Sequence, residues 1–340
     1  MDLLPTQDQQ EIAGAAGELL TKELPIVELV ARAGEPRAIS DKAWEACAGM
    51  GLLALGLPED VGGAGCGLAE EALLFRELGR QLAPGPFLAT VLAGHVAWAA
   101  GDTALAASIA AGTAPVAFLV PAADGAGDRP ASGPGQLRDW AGAEHALVLS
   151  PGAAMLVAIA DLGTVTAVTS IDAGVRVADV MLGDIVPTHT APDSAAALYL
   201  RGLVLVAAQL VGIAEACRDA SVRYAKTREQ FGRPIGVNQA VKHACAEMAV
   251  NAERAYAQLL FAAATGDSGP DAEFHARTAK AVATEAAQHN AAANLQIHGG
   301  MGFTTEFDAH LYVERAEVLE HTLATRIENL TMIIDLPAPQ

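Results

Sequence analysis

Residues 194 to 335 read as helix almost without pause, and so long a run of apolar periodicity narrows the available folds more than any other feature. "SAAALYLRGLVLVAAQLVGIAEACRDASVRYAKTRE" predicts one long helix. "NQAVKHACAEMAVNAERAYAQLLFAAATG" predicts a second, "DAEFHARTAKAVATEAAQHNAAANLQIHG" a third, and "DAHLYVERAEVLEHTLATRIENLTMII" one or two more. Long helices with short connections bury their apolar stripes as an antiparallel bundle. We therefore expect a C-terminal four-helix bundle over 188–340.

Residues 8–111 carry the same three- and four-residue apolar spacing in shorter pieces. "QEIAGAAGELLTKELPIVELVARA", "AWEACAGMGLLALGLP" and "LAEEALLFRELGRQLAPGP" each read as helix, the last stopped by Pro84-Gly85-Pro86. This predicts an N-terminal α-helical domain over 1–113. Between the two helical parts the texture changes. "APVAFLVPAA", "HALVLSP", "AMLVAIAD", "TVTAVTSID" and "VRVADVMLGDIV" are β-branched runs of strand length, punctuated by Gly, Pro, Asp and Ser. They predict a small β domain over 114–187, so the fold class is mainly α with a β middle domain. Hydrophobic residues are 52% of the chain and aromatics 4%, a core of Ala, Leu and Val that suits close-packed helices.

Several function classes drop out. A net charge of −19 opposes nucleic acid binding, which needs clustered Lys and Arg. Cys47, Cys66, Cys217 and Cys245 are far apart and form no zinc-ligand spacing, so buried free thiols in a reducing cytosol are expected and no metal site. His243, His275, His289, His298, His310 and His321 are scattered along helices without H-E-x-x-H spacing, and core or surface roles are their default. "MDLLPTQDQQ" lacks the basic start and apolar core of a signal peptide, and the uncharged stretch 103–127 is broken by Gly112, Pro115 and Pro121, so no membrane span is expected. A cytoplasmic protein is the expectation.

Against this background "YAKTREQFGRPIGVNQ" (224–239) is conspicuous, placing Lys226, Arg228, Arg233 and a Phe-Gly pair between two apolar helices. A solvated interhelical turn is the plain reading. "GGAGCG" (62–67) superficially fits a dinucleotide G-x-G-x-x-G, but it follows a helical segment and not a strand. Three segments together resemble the acyl-CoA dehydrogenase family. "REQFGRPIGVNQ" resembles its R-x-Q-F-G-x-P-I…Q signature, "QIHGGMGFTTE" (296–306) its Q-x-x-G-G-x-G-[FY]-x-x-E signature, and "LPEDVGGAG" (57–65) its P-E-x-x-G-G loop. The order helices, strands, helices is also that family's plan.

The resemblance implies that Arg228, Gln230, Phe231, Gln239, Gln296, Gly299 and Gly300 contact the dinucleotide part of an FAD owned by a neighbouring subunit. Arg228 suits phosphate through charge-assisted bonds. The glycines imply close backbone approach. Glu306, inside the second signature, is expected to be structural. The family's flavin-facing T-E-P-x-x-G-S-D-like and W-I-T-N/S-like segments are missing from "FLVPAADGAGDRPASGPGQLRDWAGAEHALVLSP", with Trp140 at most a remnant. Both base positions are also changed. Taking a proton α to a thioester needs a positioned carboxylate, but the resemblance puts Leu323 at one site and Leu200, beside Arg201, at the other. Glu320 is the nearest displaced alternative.

Catalytic residues on this chain are therefore expected to be none. The expected role is a half-site subunit, similar to the smaller chain of the α2β2 enzymes of actinobacterial steroid and bulky acyl-CoA breakdown. A larger subunit would carry the catalytic Glu and bind the acyl-CoA, and an electron-transfer flavoprotein would take the electrons. A homomeric dehydrogenase using Glu320 and a flavin-free scaffold remain open as alternatives.

Overall fold

The computed structural model describes residues 3–122, 132–266, 269–337 and 339. The expected order of helices, then strands, then helices is found. The chain divides into two compact units, one of residues 1–17, 72–83 and 203–340, the other of 18–71 and 84–202.

In the second unit the sheet is built from β1 (Val116–Pro121), β2 (Gly133–Arg138), β3 (His145–Ser150), β4 (Ala153–Ala158), β5 (Val165–Val168), β6 (Val177–Leu182) and β7 (His189–Thr190). Their order is β5-β6-β2-β1-β3-β4-β7, antiparallel at every junction except β1 with β3. Leu119, Leu137, Leu182, Val148, Met155 and Val157 form its buried side, with Trp140 packed against it. Trp140 is thus accounted for by packing.

The sequence signals missed β2. "GPGQLR" reads as a turn, yet Gly135 pairs with both Pro121 and Val180, and a Cβ there would meet Leu182 Cδ1 at 3.1 Å. Small residues are needed because Leu182 packs over the strand, so tertiary contact overrides local propensity. β7, only two residues long, was also missed. Part of the region that lacks the flavin-facing segments, 123–131, lies outside the described residues.

The helices of this unit include α2 (Val27–Ala31), α3 (Asp41–Gly49), α5 (Phe87–Ala99) and α6 (Thr103–Ala110). α3 is capped by Ser40, whose side chain accepts from Ala43 N, and ends before Gly51 at φ +80°. α5 is apolar on nearly every face and buried along most of its length, which fits a central helix. Thr90 on α5 accepts from Val116 N at 3.1 Å and ties it to the first strand.

α1 (Gln7–Glu23), α4 (Leu68–Arg80) and α7 (Ala195–Thr227) each contribute residues to both units. The bundle unit adds α8 (Gln239–Thr265), α9 (Ala272–His298), α10 (Ala309–Glu320) and α11 (Arg326–Asp335). Every residue from 202 to 217 of α7 is buried. The stretch 192–227 is long and apolar enough to cross a bilayer, but 78% of its most apolar window is inside the protein, so its apolarity belongs to a core helix.

α4 and α7 touch backbone to backbone in the bundle unit. A Cβ on Gly79 would collide with Gln209 O, and one on Gly212 with Arg76 O. Glu215 of α7 closes this contact, accepting from Arg76 Nε at 2.8 Å and Arg80 Nη1 at 2.9 Å. Asn290 Nδ2 on α9 donates to Ala214 O and Met248 O, tying α7 to α8. All four cysteines are free; Cys47 and Cys217 are buried, whereas Cys66 and Cys245 are half-buried, so only two meet the expectation of buried thiols. Burial pushes the Cys47 thiol up to about 12.

Candidate functional site: a polar surface at the bundle's helix ends

α7 ends at Thr227, and the chain turns back through a two-residue hairpin. β8 (Glu229–Gln230) pairs with β9 (Arg233–Pro234), Gln230 opposite Arg233. The loop is Phe231-Gly232, and both residues are left-handed, φ +54° and +77°. That is the backbone a type I′ turn requires, and Gly supplies it freely where Phe does not. Arg228 N donates to Tyr224 O at 2.8 Å, and Ile235 N to Arg228 O at 2.8 Å, so both ends of the hairpin are anchored to the helix end. Gly236 then lies close against α7, since a Cβ there would meet Ala225 O at 2.8 Å. Gln239 opens α8 directly afterwards.

The second loop leaves α9. His298 is the last helical residue, Gly299 follows at φ +62°, and 299–303 continue as a 3₁₀ turn. A Cβ on Gly300 would meet nothing within 4 Å. The chain itself does not require Gly300 to be glycine.

The two loops share a floor. The Tyr224 and His298 rings stack at 4.2 Å between centroids, and Phe307 meets both edge-on or tilted at 5.9 and 5.6 Å. Arg228, Gln230, Phe231, Gln239, Gln296, Gly299 and Gly300 are all exposed. Among the described residues the side chains of Arg228, Gln230, Gln239 and Gln296 have no hydrogen-bond or ion-pair partner, so one cation and three amides are presented to the outside. Phe231 at the hairpin tip is 101% exposed and Phe303 71%. Glu306 is exposed, without a partner among the described residues to support its expected structural role. His298 and its ring partners are what sequence reasoning missed; the available signal was that Tyr224, His298 and Phe307 lie within four residues of Arg228, Gln296 and Glu306.

The turn joining α10 to α11 holds the first expected base position. Leu323 lies in it at φ +68°, a conformation that costs a non-glycine residue about 1–3 kcal/mol and persists only where its surroundings impose it. α9 supplies those surroundings. Lys280 Nζ, fully buried, donates to Leu319 O at 2.8 Å and Glu320 O at 3.2 Å. Asn329, held by Arg277, donates to Ala324 O and Thr325 O. Glu320 itself folds back, its Oε1 accepting from Arg326 N at 2.8 Å. It therefore acts as a cap on α11.

In the sheet-bearing unit Arg201, next to Leu200, meets Glu71 and His95. Arg201 Nη1 forms a short ion pair with Glu71 Oε2 and lies 3.3 Å from His95 Nε2, which is 3.3 Å from Glu71 Oε1. Gly56 closes over this group, where a Cβ would collide with the Glu71 carboxylate. Burial pushes the Glu71 carboxyl upward, but His95 and Arg201 together outweigh it and hold the group below the usual carboxylate range. No cluster of three or more His, Cys, Asp or Glu suited to a metal occurs among the described residues.

Residues 6–114 match the family model of the acyl-CoA dehydrogenase N-terminal domain, and residues 201–322 that of the C-terminal domain. Acyl-CoA dehydrogenase IpdE2 of Mycobacterium tuberculosis is 32% identical over 328 residues, covering 92% of both chains. The chain belongs to the acyl-CoA dehydrogenase family.

Two solved structures extend the likeness to the whole fold. A chain of the ChsE4–ChsE5 complex from Mycobacterium tuberculosis superposes with TM-score 0.86 at 26% identity, over 99% of this chain and 100% of that one. A chain of a variant of the Tcur3481–Tcur3483 steroid ACAD gives 0.84 at 26% identity, over 97% of both. Acyl-CoA dehydrogenases are oxidoreductases acting on acyl-CoA and generally bind FAD. In this acyl-CoA dehydrogenase chain, the two positions expected to carry the base hold leucine.

Proposed function

We propose that this chain is the non-catalytic subunit of a heteromeric acyl-CoA dehydrogenase, acting on steroid-derived or other bulky acyl-CoA thioesters in the cytoplasm. Arg228 would hold the FAD pyrophosphate, Gln230, Gln239 and Gln296 would add neutral donors, and Gly299 and Gly300 would allow close backbone approach. The flavin ring, the acyl-CoA and the carboxylate base would belong to a larger partner subunit. When bound, FAD accepts the hydride that leaves the acyl β carbon. An electron-transfer flavoprotein would then take the electrons.

One observation carries this reading: at the ends of α7, α8 and α9 four exposed polar side chains have no partner among the described residues, and the adjoining Gly300 is a glycine that nothing in the chain requires. A cation and amide donors suit a pyrophosphate. Exposed at the surface of this chain, they fit a group held against a second chain. Both expected base positions lack a carboxylate, and Glu320 uses its Oε1 on Arg326 N, which supports assigning the base to the partner. The likeness to the Tcur3481–Tcur3483 steroid ACAD supports the steroid substrate class.

The test is Arg228→Ala in the complex purified from co-expression with the larger subunit. FAD should dissociate at least about tenfold faster, the loss of one charge-assisted contact. Unchanged FAD retention would sink the cross-subunit assignment. Dehydrogenation by this chain alone would instead support a homomeric enzyme.

A further inference from the structure

We infer that His298 is a positioning residue: its ring, stacked on Tyr224, holds the Phe231 hairpin and the Gly299–Gly300 turn together as one binding surface. This rests on the reading above, that the surface faces FAD.

The two loops leave different helices, so something must fix one against the other. An inner and an outer tie join the ends of α7 and α9. The inner tie is polar, Ser221 Oγ donating to Asn294 Oδ1 at 2.8 Å, with both residues buried. The outer tie is the Tyr224–His298 stack, at 4.2 Å and an interplanar angle of 26°. The outer tie adjoins the loops. Tyr224 O receives the amide of Arg228, and His298 is bonded directly to Gly299. Phe307 packs on both rings from the far side of the glycine turn, so that turn is pinned at each end.

The ring of His298 is itself fixed. Its Nδ1 lies 2.8 Å from Asn294 O. A carbonyl only accepts, so Nδ1 carries the proton and donates. This bond ties the ring back to the last turn of α9 and sets its rotation. An aliphatic residue would fill the volume without the flat face that Tyr224 covers. Because the stack lies at the outer ends of the helices, its loss should loosen the loops more than the bundle.

The test measures FAD dissociation from the full complex for wild type and for Arg228→Ala, His298→Ala, His298→Phe and His298→Gln. Thermal stability and amide exchange of residues 229–234 and 299–303 are followed alongside. His298→Ala should release FAD about tenfold faster and raise exchange in both loops, the effect of one aromatic pair. His298→Phe keeps a stacking face and should restore retention to within about threefold, whereas His298→Gln keeps a polar group without a ring and should not. If Arg228→Ala retains FAD, the reading of the surface fails. If Arg228→Ala loses FAD while His298→Ala does not, or if Gln rescues as well as Phe, the positioning role of His298 is overturned. Should His298→Ala fail to assemble, Tyr224→Leu is measured in its place, and wild-type retention there also overturns it.

Discussion

At Phe231 a residue's conformation and its exposure point the same way. A left-handed φ of +54° is unfavourable for Phe, and a fully exposed ring gains nothing from the fold that compensates. Asn is favoured at that position of a type I′ turn. Phe231→Asn should therefore stabilise the chain by up to about 1 kcal/mol, read by denaturant midpoint, while FAD retention in the complex falls. A loss of both would remove the case for Phe231 as an outward-facing contact. The adjacent glycines divide differently. Gly299→Ala forces a β-carbon into φ +62° and should cost about 1 kcal/mol of stability. Gly300→Ala meets nothing within 4 Å and should leave stability within about 0.5 kcal/mol, yet weaken FAD binding.

Between elements, buried charge does the ordering. Lys280 on α9 caps the C-terminal carbonyls of α10, where a cation is also favoured by the helix dipole. Burial lowers its pKa from 10.5 to about 8, against the raising influence of Glu320 and Glu328. Between those two values the unfolded chain binds more protons than the folded one, so this group makes stability rise with pH. The gain across the window is at most about 3 kcal/mol, and Lys280→Met should abolish it in unfolding curves measured from pH 7.5 to 10.5. Glu71 gives the same sign in the acid range. Its folded pKa is depressed, so its contribution is present above the usual carboxylate range and lost as pH falls through the folded value. Arg201→Leu leaves that buried carboxylate beside His95 without its permanent cation, and should destabilise by about 3–5 kcal/mol. A cost below about 1 kcal/mol would mean that water already reaches the pair.

For the molecule as a whole, the expected result is a folded full-length chain that holds essentially no flavin alone and FAD only in complex with a larger subunit. Flavin absorbance per chain, with sizing chromatography alongside, decides it. One FAD per chain in a homo-oligomer would mean the chain owns a working pocket.

The helices of the bundle were legible because their apolar spacing runs far longer than any strand, and α7, α8 and α9 lie where that spacing put them. The two family signatures were legible too, as the strings that hold Arg228 and Gln296, and both residues are exposed at helix ends. β2 was not, because "GPGQLR" is a strand only when β1 and β6 pair with it and Leu182 covers Gly135. Nor could the leucines at 200 and 323 reveal their neighbours. A sequence records which side chain is missing, while tertiary structure decides what fills its surroundings: Arg201 joined to Glu71, and Glu320 turned back to cap α11. Likewise, local composition determined that polar groups flank the helix ends. Only packing, through the Tyr224–His298 stack, brought two loops from distant parts of the chain onto one surface.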